Sequence, residues 1–214
     1  MVLFFPYLLA ALIAYLIASF SPGIIVSQRL GNIDIREHGS KSTGTTNVLR
    51  VMGAKAGLLV MVLDIGKTLL ACYIGQRILS ANAGGDPHAA LYGGLIGGLF
   101  AVIGHNWPVY HKFYGGKGIA CSITAIVYLF PQWGLIALAI GILTVVITRY
   151  VSLGSMLFLV ASAILISIEY LSTSIWCPLW TLLLAALGIY RHRANIQRLR
   201  AGTENKFGSK AKKP

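Results

Sequence analysis

Apolar residues run along this chain in long stretches, and short polar segments separate them. Most stretches approach the roughly 20 residues that a helix needs to cross the hydrocarbon core of a bilayer. The pattern predicts an all-α, polytopic membrane protein with about seven transmembrane helices, although five or six crossings would also fit. The predicted spans are 7–27, 55–78, 89–107, 118–131, 134–149, 152–170 and 174–190.

Two of these spans have particular features. The fourth, 118–131, is short, which favours a tilted or re-entrant helix or one that neighbouring helices shelter from lipid. The first has neither a basic flank nor a small-residue cleavage site, so we expect it to remain as an anchor. Because the loops are short, we predict a single integral membrane domain over 1–214, with a basic, disordered tail at about 203–214.

The composition agrees with a membrane protein. Apolar residues make up 56% of the chain and charged residues only 11%, whereas about a quarter of the residues of a soluble domain are charged. The three cysteines, Cys72, Cys121 and Cys177, are isolated within or beside apolar stretches, where a free thiol behaves as a small hydrophobe. Neither a disulfide framework nor a metal site is indicated.

Basic residues are concentrated in alternate loops. Seven spans with the N-terminus outside put 28–55, 108–118, 149–153 and 191–214 on the cytoplasmic side, and these hold all but two of the 18 Lys and Arg. The opposite loops carry Asp86 as their only charge. The positive-inside rule therefore predicts an outside N-terminus and a cytoplasmic C-terminus. It also explains the net charge of +12 without nucleic acid, and the basic tail is better interpreted as a tether to anionic lipid.

The unusual polar sequence lies in the same four cytoplasmic segments. They read HGSKSTGTTNVLR, GHNWPVYHKFYGGKG, RYVSLGS and YRHRANIQRLRAGTE. All combine small residues, hydroxyls or amides with Lys or Arg, and Gly-rich turns that lead into helices bind phosphates or carboxylates through backbone N–H groups. The segments together predict an anion site, although an ordinary polar loop with capping residues remains the alternative for the first one.

In the first segment, Gly39 and Gly44 permit the backbone dihedrals that such a turn requires. The side chains that can donate hydrogen bonds there are Ser40, Thr45 and Thr46. From His38 to Arg50 the segment contains no carboxylate, which a metal ion would need and which would repel a bare phosphate.

The GGKG sequence of the second segment is not a nucleotide P-loop. That motif needs a Gly and a Ser or Thr where this chain has His111 and Gly118. Lys117 among three glycines is nevertheless a good point charge for a phosphate. Arg149 lies at a predicted helix end, where snorkelling to the interface and donation to an anion are equally plausible.

Other patterns limit the chemistry. Asp64 and Lys67 lie one turn apart in the second span, where they form either a structural ion pair or part of a binding site. The motifs H-E-x-x-H and G-x-S-x-G are absent, and so is a His followed four residues later by Asp. The cytoplasmic carboxylates Asp34, Glu37 and Glu204 are too scattered for a metal-dependent phosphotransferase, so we predict no metal and no cofactor.

The four segments, in this order and topology, resemble the motifs of the acyl-phosphate:glycerol-3-phosphate acyltransferase family, the PlsY type of bacterial membrane enzyme. DIGK at 64–67 also resembles the family's second helix, and the motifs cover about a quarter of the chain. There are two departures. Lys41-Ser42 stand where the family more often has Gly-Asn, and Cys121 stands where Thr is usual.

The resemblance implies an enzyme that transfers a fatty acyl group from acyl phosphate to the 1-hydroxyl of glycerol 3-phosphate. The products would be lysophosphatidic acid and phosphate, in phospholipid synthesis at the bacterial cytoplasmic membrane, with an acyl-phosphate-forming enzyme upstream. Both substrates carry a phosphate, and the acyl tail of one is soluble only in lipid. Since acyl phosphate is already activated, the protein needs mainly positioning and charge stabilisation rather than a covalent nucleophile.

The resemblance also leads to candidate residues. Those for acyl phosphate are Ser40, Gly44, Thr45, Asn47 and Arg50. Those for glycerol 3-phosphate are Lys117, Arg149, Ser152, Ser155, His192 and Asn195. Those with supporting roles are His105, Gly115, Gly116, Gly118, Asp64, Lys67 and Glu204. The alternatives are that His105 only orients the GHNWP turn and that Glu204 only holds the tail.

Ser40, Arg50 and His192 are the candidate catalytic residues. His192 is a candidate base because the ordinary pKa of histidine lies near neutrality. A phosphate oxygen of a substrate is the alternative proton acceptor, and the resemblance favours it. A small anion or phosphoester transporter is the alternative function. Transporters, however, place their anion sites near the bilayer midplane, whereas the polar residues here are predicted at the cytoplasmic face.

Overall fold

The computed structural model describes residues 4–82 and 84–208, and all regular structure within them is helical. The helices are α1 Phe4–Ser19, α2 Pro22–Gly31, α3 Thr45–Met52, α4 Ala54–Asn82, α5 Ala89–Asn106, α6 Ile119–Leu129, α7 Pro131–Thr148, α8 Val151–Tyr170, α9 Trp176–Arg191 and α10 Arg193–Arg200. Short 3₁₀ turns lie at Ile35–Glu37 and Val109–His111. The predicted all-α class is confirmed.

Five helical segments among the described residues are long and apolar enough to cross a membrane. They are Phe4–Gly31, Ala54–Asn82, Ala89–His111, Pro131–Thr148 and Val151–Tyr170. The apolar helices α6 and α9 are shorter, as predicted for the fourth span. A multi-pass membrane architecture is therefore confirmed, while the count of seven crossings and the orientation of the termini stay predictions.

The first predicted span, 7–27, is not one continuous helix. Helix α1 ends at Ser19 and α2 begins at Pro22, which occupies the first position of the new helix. Proline has no N–H to donate back to the preceding turn, and its fixed φ suits a helix start. The break leaves the carbonyl of Phe20 available, and the ammonium of Lys67 donates to it over 2.8 Å.

The chain forms two compact units, and the first contains the described residues up to 125. Helices α4 and α5 approach closely through glycines: a Cβ on Gly75 would overlap the carbonyl oxygen of Gly93, and one on Gly97 would overlap that of Ala71. Close approach of small residues is how membrane helices gain packing energy without a hydrophobic driving force. Helix α1 packs on the same pair, where buried alanines share one cluster: Ala14, Ala18, Ala71 and Ala101.

A second cluster of the first unit brings α2, α3 and the start of α4 together. Its buried members are Ile24, Val26, Ile35, Val48, Ala56 and Val60. The segment between α2 and α3 is closely packed, because Gly23 lies against the carbonyl of Thr43 and a Cβ there would overlap it. The polar loop that precedes α3 therefore lies on a packed base.

The second unit contains the described residues from 126 onward. Helices α7 and α8 cross closely, since a Cβ on Gly154 would lie 2.5 Å from the carbonyl oxygen of Gly141. Phe130 packs edge-on against Tyr170, with ring centroids 5.1 Å apart, and also lies 6.1 Å from the ring of Trp180. These aromatic contacts fix one end of the unit.

The chain after α10 folds back within the second unit. The backbone N–H of Phe207 donates to the carbonyl of Arg149, and the guanidinium of Arg149 donates to the carbonyl of Phe207 over 3.0 Å. The first part of the predicted disordered tail, 203–208, thus makes hydrogen bonds. The remainder, 209–214, lies outside the described residues.

Candidate active site

Asn47 organises the polar loop before α3. Its side chain is buried, and its Oδ1 accepts a hydrogen bond from the N–H of Ser40 over 2.8 Å. Its Nδ2 donates to the carbonyls of His38 and Ser42 over 3.0 and 2.9 Å. A single amide thus fixes three points of the loop, because Asn offers both an acceptor and donors. The structure shows Asn47 supporting the loop from within, and its role as an acyl-phosphate ligand stays a prediction.

Two residues of this loop have left-handed backbone conformations. Gly39 has φ of +59°, and a Cβ there would overlap Asn47 Oδ1, so only glycine fits. Lys41 has φ of +58° although it is not glycine. The resemblance implies Gly at this position, and the backbone conformation there is one that favours Gly. Ser42 keeps a local turn, since its Oγ accepts from the N–H of Gly44 over 3.4 Å.

The start of α3 presents donors beside this loop. The Oγ1 atoms of Thr43 and Thr45 are buried and have no hydrogen-bond partner among the described residues. The N–H groups of the first turn of a helix have no partner within the helix. Ser40, held by Asn47, is half-buried, and Arg50 lies one turn beyond Asn47 on the same helix. The loop and α3 thus form one short segment that contains all the predicted acyl-phosphate residues. This segment has hydrogen-bond donors and no carboxylate.

Asp34 begins the 3₁₀ turn that leads into the loop. Its carboxylate accepts hydrogen bonds from the Arg36 guanidinium, the shortest of 2.6 Å. This hydrogen bond holds the pKa of Asp34 below its ordinary value, although burial opposes the shift, and it raises the pKa of Arg36. Both side chains are about a quarter exposed, so the pair contributes little to stability. The positive charge of Arg36 therefore compensates the ionised Asp34 carboxylate just before the loop begins.

The glycines around Lys117 lie directly on His105 and Asn106. The N–H of Gly116 donates to the carbonyl of His105 over 3.1 Å, and a Cβ on Gly116 would overlap the Nε2 of the same histidine. A Cβ on Gly115 would overlap the carbonyl oxygen of His105. Gly118 has φ of +74° and lies against the Asn106 side chain. These contacts explain why this loop needs glycines on both sides of Lys117.

Beneath the glycines, a charged cluster is buried within the helices. Lys67 Nζ lies 2.9 Å from Asp64 Oδ1, so the ion pair expected from the sequence is formed. His105 Nδ1 lies 3.2 Å from both of these atoms. The side chains of all three residues are at most 5% exposed. The cluster therefore joins α4 to the end of α5.

The same cluster is the one group among the described residues whose side chains could hold a metal ion. Donor atoms of Asp64, His105 and Cys121 lie within 4.8 Å of one another. The Lys67 ammonium, however, already lies against the carboxylate and the imidazole and supplies the positive charge there. For this reason we assign no metal to these residues.

Glu204 plays the organising role in the second unit. Its Oε1 accepts hydrogen bonds from Ser152 Oγ over 2.9 Å and from Asn195 Nδ2 over 2.6 Å. Its Oε2 accepts from Arg198 Nε over 2.7 Å. Burial alone would raise the pKa of Glu204, but the hydrogen bonds from Asn195, Arg198 and Ser152 bring that pKa below its ordinary value. The structure thus brings two predicted glycerol 3-phosphate residues together on one ionised carboxylate.

His192 lies buried at the junction of α9 and α10. Its Nδ1 lies 2.7 Å from the carbonyl oxygen of Gly188. Since a carbonyl only accepts, the network assigns the proton to Nδ1, and the neutral ring then carries its lone pair on Nε2. An imidazole oriented in this way can accept a proton or a hydroxyl hydrogen bond through Nε2. The predicted role of His192 is chemically possible in this geometry.

Two other predicted glycerol 3-phosphate residues make local contacts. Ser155 Oγ donates to the carbonyl of Val151 one turn earlier in α8. Arg149, with φ of +64°, ends α7 and binds the backbone of Phe207. Their contribution to substrate binding stays a prediction.

Sequence analysis missed several residues of these networks. Thr43, Asn106 and Arg198 lie inside the predicted segments and Phe207 lies shortly after the last one, but their roles were not predicted. A buried amide or hydroxyl gives no signal in a single sequence, because the partner that makes it important lies elsewhere in the chain. Only the six-residue spacing of Arg198 and Glu204, of opposite charge, offered a local cue.

Comparison with known proteins gives the family. Residues 8–202 match the family described as glycerol-3-phosphate acyltransferase. The chain belongs to this family. A glycerol-3-phosphate acyltransferase of Thermoanaerobacter sp. is 46% identical over 94% of this chain and 96% of its own length. That of Halalkalibacterium halodurans is 40% identical over 92% and 93%.

Two solved structures of a glycerol-3-phosphate acyltransferase resemble this fold. Both are crystal structures of PlsY (YgiH), an integral membrane enzyme, and both are 31% identical to this chain. The glycerol 3-phosphate form has a TM-score of 0.81 and covers 94% of this chain and 96% of its own. The lysophosphatidic acid form has a TM-score of 0.78 and covers 94% and 95%. The recognition made from the four motifs is thus confirmed.

Proposed function

We propose that this protein transfers a fatty acyl group from acyl phosphate to the 1-hydroxyl of glycerol 3-phosphate, forming lysophosphatidic acid and phosphate. The family relationship extends over nearly the whole chain. The observation that carries the proposal is the loop before α3, where Asn47 braces a turn rich in donors and free of carboxylates. Such a turn at a helix N-terminus suits a phosphate at the membrane surface.

The donor phosphate is bound by the loop and α3. The proposed ligands are Ser40, Gly44, Thr45 and Arg50, with Asn47 as the brace that holds the loop, and Ser40 and Arg50 stabilise the negative charge that grows on the departing phosphate. Preorganised donors of this kind are often the largest single contribution to catalysis. Because the loop is held by Asn47, little reorganisation is needed when charge develops.

The acceptor is bound through its phosphate and hydroxyls. The proposed ligands are Lys117, Arg149, Ser152, Ser155, His192 and Asn195. In the reaction, the acceptor hydroxyl oxygen bonds to the acyl carbon, and the bond from that carbon to the phosphate oxygen breaks. The hydroxyl proton goes either to His192 Nε2 or to an oxygen of the departing phosphate, and the second route needs no protein base.

The substitution His192→Ala separates these two routes. If His192 is the base, kcat falls by on the order of 10²-fold or more, and the acid limb of the pH profile of kcat disappears. If the substrate phosphate accepts the proton, the loss appears mainly in KM for glycerol 3-phosphate and the pH profile keeps its shape. Steady-state kinetics from pH 5.5 to 8.5 distinguish the two results.

A reaction in detergent tests the function itself. Purified protein is incubated with acyl phosphate and glycerol 3-phosphate, and lysophosphatidic acid is measured by mass spectrometry. An enzyme forms the product in a mixture without compartments, whereas an anion or phosphoester transporter forms none. Parallel reactions with acyl-CoA and acyl carrier protein identify the donor, and product from these alone would refute the acyl-phosphate proposal.

Lys117→Ala tests the acceptor pocket. Removing one charged contact to a phosphate is expected to raise KM for glycerol 3-phosphate by roughly 10- to 100-fold, because hydrogen bonds to charged groups contribute about 1.5–3 kcal/mol. The KM for acyl phosphate serves as the internal control. An unchanged KM for glycerol 3-phosphate would remove Lys117 from the pocket.

We also propose that the protein works in the bacterial cytoplasmic membrane with the N-terminus outside. The bacterial relatives and the basic loops support this assignment. The acyl phosphate would come from an acyl-phosphate-forming enzyme upstream. A terminal reporter that is active only in the cytoplasm tests the orientation: activity is expected at the C-terminus and not at the N-terminus.

A further inference from the structure

We propose that His105 is a positioning residue for glycerol 3-phosphate: held by the buried Asp64–Lys67 pair, its imidazole and carbonyl set the Gly115–Gly118 backbone and thereby the place of Lys117. This inference rests on the proposed role of Lys117 in binding the acceptor phosphate. It assigns a task in the reaction to three groups that lie within the helices and are buried away from solvent.

The first step of the argument is the fit between His105 and the glycines. The carbonyl of His105 accepts the N–H of Gly116, and its ring Nε2 occupies the space that a side chain on Gly116 would need. The same carbonyl oxygen occupies that space for Gly115. Gly115 and Gly116 therefore both pack against His105, and Lys117 follows directly.

The second step is how firmly His105 is itself held. Its Nδ1 lies 3.2 Å from Lys67 Nζ and 3.2 Å from Asp64 Oδ1. Lys67 in turn donates to the carbonyl of Phe20, in the break between α1 and α2, over 2.8 Å. The ring is thus held directly by α4 and, through Lys67, by the break between α1 and α2. In either tautomer Nδ1 makes one of these two hydrogen bonds, donating to Asp64 or accepting from Lys67, and this bond restricts rotation of the ring.

The third step concerns energy. A buried ion pair between apolar helices is expensive to desolvate, and apolar residues of similar volume are often as stable or more stable. One carboxylate oxygen here, Asp64 Oδ2, has no hydrogen-bond partner among the described residues, which increases the expense. Packing alone therefore does not explain the cluster, whereas fixing the orientation of a ring beneath a functional loop does.

The consequence is specific to one substrate. Lys117 lies between glycines, which do not restrict the backbone by themselves. The position of Lys117 therefore depends on the residues against which the loop packs. A displacement of about 1 Å in a binding group can lower activity by on the order of 10²-fold. Loss of the His105 ring should therefore weaken glycerol 3-phosphate and leave acyl phosphate, bound by the loop before α3, nearly unaffected.

The first experiment measures both KM values for His105→Ala in detergent. We expect KM for glycerol 3-phosphate to rise by on the order of 10-fold or more, with KM for acyl phosphate changed less than about 3-fold. A general loss of folding would lower the amount of active enzyme, and hence the apparent kcat, without raising one KM selectively. An unchanged KM for glycerol 3-phosphate overturns the proposal.

The second experiment uses the glycines as matched probes. Gly116→Ala places a Cβ onto the ring of His105, whereas Gly115→Ala places one onto its main-chain oxygen. We expect both to raise KM for glycerol 3-phosphate. Combined with His105→Ala, the Gly116→Ala effect should largely vanish because the ring is gone, while the Gly115→Ala effect should multiply with it. If the fold-changes in KM multiply when His105→Ala is combined with Gly116→Ala as well as with Gly115→Ala, the proposal is overturned.

The two experiments remain informative if His105→Ala folds poorly, because His105→Gln takes its place in the same cycle. They also separate this inference from the proposed function. A normal response of KM to Lys117→Ala with none to His105 substitution refutes only the inference. No response to Lys117→Ala refutes the pocket and the inference with it, and absence of lysophosphatidic acid in the wild-type reaction refutes the function.

Discussion

Two loops of this protein are each organised by one buried side chain, but the two side chains differ in charge. Asn47 braces the loop before α3 with a neutral amide that bonds only to backbone groups. Glu204 braces the segment after α10 with a carboxylate that gathers the side chains of Ser152, Asn195 and Arg198. One residue shapes a backbone, and the other orients side chains.

The difference follows from what each loop is proposed to meet. Backbone N–H groups bind a phosphate directly only if no negative charge lies close to them, so the brace must be neutral. Side-chain donors can be held by a carboxylate if a cation such as Arg198 compensates its charge. If each loop binds a phosphate as proposed, the charge of that phosphate explains why the first loop is braced by Asn and the second by Glu.

The strongest test of this comparison is Asn47→Asp. The substitution removes the donors to the carbonyls of His38 and Ser42 and adds a negative charge beneath the donor phosphate. We expect kcat/KM for acyl phosphate to fall by on the order of 10³-fold, since positioning and charge stabilisation are lost together. Asn47→Ala is the control that removes the hydrogen bonds only, and it should lose about tenfold less. Equal losses would mean that the charge is irrelevant.

The reciprocal substitution, Glu204→Gln, should have a smaller effect. Gln retains an oxygen for Ser152 and Asn195, but its amide group cannot accept from Arg198. We expect KM for glycerol 3-phosphate to rise by roughly 10-fold, equivalent to one charged hydrogen bond. The measurement is steady-state kinetics with varied acceptor. A rise of KM for acyl phosphate instead would contradict the proposed division between the loops.

The same carboxylate predicts a pH dependence of stability. The pKa of Glu204 is lowered in the folded protein, so its ionised form stabilises the fold above its ordinary pKa, and this contribution is lost as the pH falls through the lowered value. We expect the thermal midpoint in detergent to fall in acid and to fall less for Glu204→Gln. Glu37→Gln, at an exposed position, is the matched control and should follow the wild type.

The smallest effect is expected for Lys41→Gly. A left-handed conformation costs a non-glycine residue about 1–2 kcal/mol, while glycine costs about 0.5–1 kcal/mol in lost chain entropy. The thermal midpoint should therefore rise slightly and kcat/KM should change less than about 3-fold. Lys41→Gln, which removes the charge and keeps the strain, is the control. A tenfold loss of activity in both variants would instead place the Lys41 ammonium on a substrate.

The site predictions drawn from the sequence have local signals, and among them the structure confirms the ion pair of Asp64 and Lys67. The glycines around Lys117 and the donors before α3 follow from residue type and spacing, and the ion pair of Asp64 and Lys67 follows from one helical turn. The break at Pro22 was missed, although proline is a local signal, because the apolar run continues through it. Apolar composition reports burial in lipid and does not report helix continuity.

The sequence by itself determined the membrane-spanning class and the family, and it predicted an anion site in the four polar segments. Apolar run length, residue type and ordered motifs are properties of neighbouring residues, so they can be read without a fold. Only the tertiary structure decided which groups Asn47, Glu204 and His105 contact. Their partners lie up to 52 residues away along the chain, and a buried polar group acquires its role from the partner that folding brings to it.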